Sequence, residues 1–198
     1  MGVMTLTQAK SMGGVGSILV LLSFVPTVGF VLGIVGLVLV LIAVKQISDA
    51  VNDREIFNNV LMAVIIPWVA IGINLAVGLG LVMYAVPTIA KVDSNYLAEV
   101  GYSGTDVVLP PLATFLGLPI IILMMVFGTW AALIVSAWFL KKGYERIAVR
   151  TGTKTFRTVG RLYFFGALLV IVIIGAILAF IAAILQIKAF FSLPESPP

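Results

Sequence analysis

The chain contains no cysteine and no histidine. That excludes disulfides, thiolate and imidazole metal sites, histidine-ligated haem, and any Ser–His or Cys–His nucleophile. It also leaves the redox compartment unreadable. Charge is scarce: 12 basic and 8 acidic residues make up 10% of 198, where about 25% is usual in soluble domains. So few charges cannot cover the surface of a small soluble globule. Disorder is excluded on the opposite ground. Disordered chains are poor in apolar residues, whereas 62% of this chain is hydrophobic. What composition leaves is a membrane-embedded protein.

The few charges are clustered. None falls within Ser11–Val44, Ile56–Ala90, Val107–Leu140 or Leu162–Ile187. About 20 apolar residues cross a hydrocarbon core of about 30 Å. The last run suits one tilted span, and the other three exceed one. Pro26-Thr27 divides the first run, so a tight hairpin is expected there. One Pro-kinked helix is the alternative. Thr5 with Gln8 reads as a capping box for the opening helix. Pro87 is expected to stop the helix that opens near Ile56, with a kink near Pro67. Pro110-Pro111 precedes the next helix, and Gly152 is a plausible C-terminal cap for it. The expected fold is therefore an all-α polytopic transmembrane helical bundle, a single integral membrane domain of about five spans. They lie near 6–25, 28–51, 56–86, 112–140 and 162–187, the last within a helix from about Thr155 to Phe190. The alternative is four spans with a kinked first helix.

Lys10, the Lys45–Arg54 loop and the basic loop 141–161 carry ten of the twelve basic residues. The positive-inside rule places them in the cytoplasm. With five spans the N-terminus lies inside, and Lys188 and the C-terminus lie outside. The four-span alternative moves only Lys10. The outer loop 87–111 holds Tyr96 and Tyr102, which read as interfacial anchors, and the tail 194–198 reads as unstructured. No small-residue cleavage site follows Met1–Lys10, so the N-terminus is expected to be retained.

Membrane helices associate by close packing, and small residues spaced four apart permit it. Each span carries such a stripe: Ala9, Gly13 and Ser17; Gly29 and Gly33; Gly72, Ala76 and Gly80; Gly128, Ala132 and Ser136; Gly175, Ala179 and Ala183. They predict internal packing, with one stripe left over for a partner as the sharper alternative. Asn74, mid-span, is expected to bond the backbone of a neighbouring helix, with a substrate or ion contact as the alternative.

No Asp, Glu, Lys or Arg falls within the charge-free runs that form the middle of the spans, which weighs against proton coupling. It also removes the paired carboxylates of an intramembrane aspartyl protease. The Thr151–Thr155 segment fails as a phosphate loop, because Lys154 is not preceded by glycine. Asp49, Asn52, Asp53, Arg54 and Glu55 form a candidate inner-face polar cluster. It reads as a capping box of Asn52 with Glu55, or as an oxygen-donor cation or substrate site. Lys141, Lys142, Arg146, Arg150, Lys154, Arg157 and Arg161 are candidate headgroup-binding residues. Pairing of Arg146 with Asp53 is the alternative for part of that set. Nucleic acid is not expected, since only Tyr144 and Phe156 accompany these charges.

Thr7-Gln8-Ala9-Lys10 with Gly13-Gly14-Val15-Gly16, the run Leu41–Asp49, the segment Asp53–Phe57 and the ending Ala189–Pro194 resemble the archaeal membrane family catalogued as domain of unknown function 996. The resemblance covers nearly the whole chain. It implies an archaeal multi-pass membrane protein without an assigned activity, and brings no catalytic residues. No catalytic, cofactor or metal residue is expected. The expected role is a non-enzymatic structural or accessory component of the cell membrane, with lipids and a second copy or membrane-protein partner as contacts. A passive channel or small-solute carrier is the first alternative. A lipid-headgroup enzyme using Asp49, Asp53 and Glu55 is the second.

Overall fold

The computed structural model describes residues 6–23, 25, 27–100 and 112–195, and the side chains of these except 84–100, 112–116 and 118. The described residues are helical throughout apart from short connections. The helices are α1 (Leu6–Leu22), α2 (Gly29–Ala50), α3 (Arg54–Val100), α4 (Leu112–Thr151), α5 (Thr155–Leu169) and α6 (Ile174–Phe191). Five stretches are long and apolar enough to cross a membrane: α2, Arg54–Met83 of α3, Pro119–Thr151 of α4, Thr155–Val172, and α6. The shorter α1 is also apolar.

The chain divides into two compact units. One comprises residues 1–67 and 133–198, the other 68–132. In the first unit α1 and α2 form the hairpin expected at Pro26, not one kinked helix. Thr27 turns the chain with φ 76°. Gly29 then passes so close to the Ser23 carbonyl that a Cβ there would collide with it. Higher up, Gly16 faces Gly36. A Cβ on Gly36 would lie 2.6 Å from the Gly16 carbonyl oxygen, so the two backbones are in direct contact. Small residues are what make that approach possible.

The last apolar run differs from expectation. It is not one span but a second hairpin. α5 ends at Leu169, a single 3-10 turn covers Val170–Val172, and Ile173 reverses the chain with φ 63°. Non-glycine residues rarely adopt that conformation. Two contacts hold it. The Ile173 N–H donates to the Val170 carbonyl, at 3.2 Å. Gly175 sits so tightly under the Gly166 carbonyl and the Val170 amide that no side chain fits.

One consequence is a correction to the expected topology. A single apolar core at one end of the unit, here the basal end, draws from all six helices. It includes Leu6, Val44, Ile56, Val60, Tyr144, Ile147, Phe156, Val159 and Phe190, together with Leu193 beyond α6. Phe156 is its centre, edge-on to Tyr144 at 5.5 Å and to Phe190 at 5.1 Å between ring centroids. Phe190 also covers Gly13. The start of α1 at Leu6 and the residue Leu193 beyond α6 therefore share the basal end with the α2–α3 and α4–α5 connections, so α6 does not finish opposite the start of α1. The physical reason is the second hairpin, which adds one reversal that a charge count cannot register.

α3 does not stop at Pro87. It runs through Pro67 and Pro87 to Val100. The rest of the expected outer loop, 101–111, and the tail residues 196–198 lie outside the described residues, as do the side chains of Tyr96 and Lys91.

In the second unit α3 and α4 meet along one face. Asn74 Nδ2 donates to Thr129 Oγ1 at 2.6 Å, and Thr129 donates in turn to the Met125 carbonyl. Gly78 packs by Met125. This is the helix-to-helix bond expected of Asn74, made to a side chain. The expected packing stripe Gly72, Ala76 and Gly80 lies on another face and is exposed. A Cβ at Gly72, Gly80 or Gly128 would meet nothing within 4 Å. Two residues along a helix turn the side chain by about 200°, so Asn74 and Gly72 cannot serve the same neighbour.

Candidate functional site

The strongest polar assembly of the first unit lies where α2 passes into α3, beside the end of α4. The turn is built locally. Asn52 takes a left-handed conformation with φ 52°. The Asp53 N–H donates to the Ser48 carbonyl, and Ser48 Oγ donates back to the Asp53 carbonyl at 2.8 Å. Asp53 Oδ1 accepts the Glu55 N–H at 3.2 Å. Asp53 therefore caps α3, a carboxylate on the partial positive charge of a helix N-terminus. The capping box expected of Asn52 with Glu55 is displaced one residue along, because Asn52 is consumed in making the turn.

The Asp53 carboxylate is only 7% exposed, and two guanidiniums from the last turns of α4 converge on it. Arg146 Nη1 lies 3.3 Å and Arg150 Nε 3.2 Å from Oδ2. Arg146 also pairs through Nη2 with Glu55. These two arginines thus follow the intramolecular alternative. Asp49, Asn52 and Arg54 of the same candidate cluster are exposed and stand apart from the array. Among the described residues no three carboxylates converge as a metal site would need.

The remaining basic residues have different fates. Lys142 Nζ lies 3.5 Å from the ring centroid of Trp138, and Lys141 Nζ 5.2 Å from that of Phe164. Both are cation–π contacts. Arg161 is near Glu145, at 3.8 Å. Lys154, Arg157 and Arg161 follow one another along the exposed face of α5. Phe156 and Tyr144, the two aromatics beside these charges in sequence, are buried in the basal core.

Polar side chains between the helices are also engaged. Gln186, buried on α6, donates to Ser17 Oγ on α1 at 3.0 Å, and Ser17 donates to the Gly13 carbonyl at 2.7 Å. Ser136 donates to the Ala63 carbonyl at 2.6 Å, tying α4 to α3. Of the other stripe residues, Ala9, Gly13, Gly175 and Ala183 are buried, and Ala179 packs against Gly166. Gly33 faces Ser23, and Ala132 is partly buried. Gln186 is the functional contact that the sequence reading missed. Its amide inside an apolar run two residues before Lys188 was the available signal.

Apolar helices of membrane-crossing length, joined by glycine contacts and closed at one end by a buried carboxylate–arginine array, define a multi-pass helical membrane protein. Comparison with known proteins places it further. The family described as "Protein of unknown function (DUF996)" matches residues 32–184, and the chain belongs to that family. An uncharacterised protein of the archaeon Methanocaldococcus jannaschii is 36% identical over 194 residues, covering 97% of this chain and 95% of that protein. No solved structure matches.

Proposed function

We propose that the protein is a non-enzymatic structural or accessory component of the cell membrane, working through contacts with another membrane protein or a second copy. One observation carries this reading: among the described residues, the buried Asp53 carboxylate and most polar side chains lying between the helices are already bound within the chain. Asp53 is held by Arg146 and Arg150. Ser17, Asn74, Thr129, Ser136 and Gln186 each bond within the helix packing. A headgroup enzyme built on Asp49, Asp53 and Glu55 would have to break that array first. A passive channel would need hydroxyls or carbonyls along a path, and these hydroxyls are engaged. The exposed stripe Gly72, Ala76 and Gly80 offers a helix-docking wall of the small-residue kind.

The test is extraction from native membranes in mild detergent at low salt, followed by sizing and identification of what co-purifies. A stoichiometric membrane protein or a second copy is expected, lost on Gly72→Leu. A lone chain that supports solute flux in proteoliposomes overturns the reading in favour of a channel. A lipid product abolished by Asp53→Asn would overturn it in favour of an enzyme.

A further inference from the structure

Between α4 and the α5–α6 hairpin lies a cleft of about 230 Å³. Leu133, Ser136, Ala137 and Leu140 form its α4 wall. Tyr163, Gly166, Ala167 and Val170 face them, with Gly175 and Ala179 of α6 behind. The lining is apolar apart from Ser136 and the Tyr163 phenol, and Ser136 already donates to the Ala63 carbonyl. With two hydroxyls in an otherwise apolar lining, the cleft suits an apolar guest better than a polar solute.

The cleft has a direction. α4 and α5 cross at Gly160, where a Cβ would lie 3.0 Å from the Lys141 Cα. Leu140 and Tyr163 therefore mark the basal end of the cleft, and it runs up seven residues of α4 to Leu133, about 10 Å. Immediately below that end the two walls carry Lys141, Lys142, Arg157 and Arg161. Glu145 is the one acidic residue between Ala132 and Pro194. It lies 3.8 Å from Arg161, which remains 58% exposed. Lys141 rests over Phe164 with no carboxylate in salt-bridge range among the described residues. An apolar slot thus opens onto an excess of positive charge. Those are the two ends of one amphiphile.

We propose that this cleft seats part of a hydrocarbon chain of an anionic phospholipid, with its phosphate held at the basal rim by Lys141 and Arg161. The register supports the pairing: the last apolar lining residue, Leu140, is followed directly by the first cation. Gly166 and Gly175 let α5 and α6 touch backbone to backbone, and this closely packed pair forms the wall that faces α4 across the slot. The binding differs from general attraction of a basic loop to a charged surface. It requires the slot as well as the charges. It does not depend on the accessory role proposed above, which uses Gly72, Ala76 and Gly80 of the second unit.

The experiment uses the full chain. Protein is delipidated in detergent, reconstituted into nanodiscs of equal phosphatidylglycerol and phosphatidylcholine, re-extracted, and its retained lipid counted by native mass spectrometry. Wild type should retain phosphatidylglycerol over phosphatidylcholine by about tenfold, given the attraction of juxtamembrane basic residues. Lys141→Gln with Arg161→Gln should remove that preference. Leu133→Trp, which fills the upper slot and leaves every charge in place, should remove retention of both lipids. Thermal transitions of both variants in detergent establish that they are folded. Millimolar inorganic phosphate should leave retention unchanged, since a free anion lacks the tail. Equal retention of the two lipids by wild type overturns the proposal. So does undiminished phosphatidylglycerol on folded Leu133→Trp, which would reduce the site to a charged surface. Displacement by phosphate alone would make it a free-anion site, and a protein bound in place of lipid would make it a helix-docking groove; either overturns it.

Discussion

Phe190 stands edge-on to Phe156, 5.1 Å between ring centroids, and the contact holds the end of the last helix against the start of α5. Phe156 lies in the first turn of α5, and Phe190 in the last turn of α6; the expected basic loop 141–161 is mostly helical, with only residues 152–154 joining α4 to α5. Their contact brings the C-terminal end back to the loop from which the hairpin started.

The topology follows. Single cysteines suit a chain with no native cysteine. Asp49→Cys, Arg150→Cys and Ser192→Cys should label from one and the same side of sealed vesicles, which the basic residues assign to the cytoplasm. Labelling of position 192 from the side opposite to position 49 would refute the second hairpin.

Glycine substitutions should separate the two kinds of small-residue stripe. Gly175→Leu has backbone on every side. It should cost about 3 kcal/mol or more, the upper range for overpacking, and lose folded protein in a thermal assay in detergent. Gly72→Leu meets open space, and its thermal transition should match wild type. A large loss for Gly72→Leu would show that the α3 stripe is packed.

Asp53 and Glu55 touch the same arginine and should differ sharply. Asp53 is buried, caps α3 and receives two guanidiniums. Asp53→Ala should destabilise by about 1–3 kcal/mol, from the lost cap and the stranded polar partners. Glu55 is 66% exposed, so Glu55→Ala should cost less than about 1 kcal/mol. Chemical or thermal unfolding in detergent measures both. An Asp53→Ala, Arg150→Ala double-mutant cycle should show coupling, and strict additivity would deny the pair.

The Gln186–Ser17 bond joins α6 to α1 inside the apolar region. Interhelical hydrogen bonds of this kind average about 0.6 kcal/mol and reach about 1.7. Gln186→Leu and Ser17→Ala should therefore be coupled by that amount in a double-mutant cycle of thermal stability. A coupling near zero would mean the two side chains do not meet.

Much of the helix content was legible because it depends on local chemistry. Charge-free runs bounded by Lys, Arg, Asp and Glu mark the apolar helices, since the cost of a buried charge acts residue by residue. Gly152 with φ 72° ends α4 where a left-handed cap was expected. Pro26 divides the first run because it removes a backbone donor. The stripes were legible as packing surfaces but not as to which face is used. Gly72 falls in an expected packing stripe and Gly78 does not, and only the position of α4 selects the face bearing Asn74 and Gly78.

The sequence by itself determined that this is a membrane protein of apolar helices, where the first hairpin turns, and that one end is basic, because composition, proline and charge act locally. Only the tertiary structure decided the second reversal, the carboxylate array and the apolar cleft between α4 and the second hairpin. The Ile173 turn carries no proline and no glycine of its own. It is held by Gly166 and Gly175, nine residues apart in sequence and in contact only once the chain has folded back. Asp53 and its guanidiniums are separated by 93 and 97 residues. Neither pairing has a period or a spacing to read, because each is fixed by where two helices happen to cross.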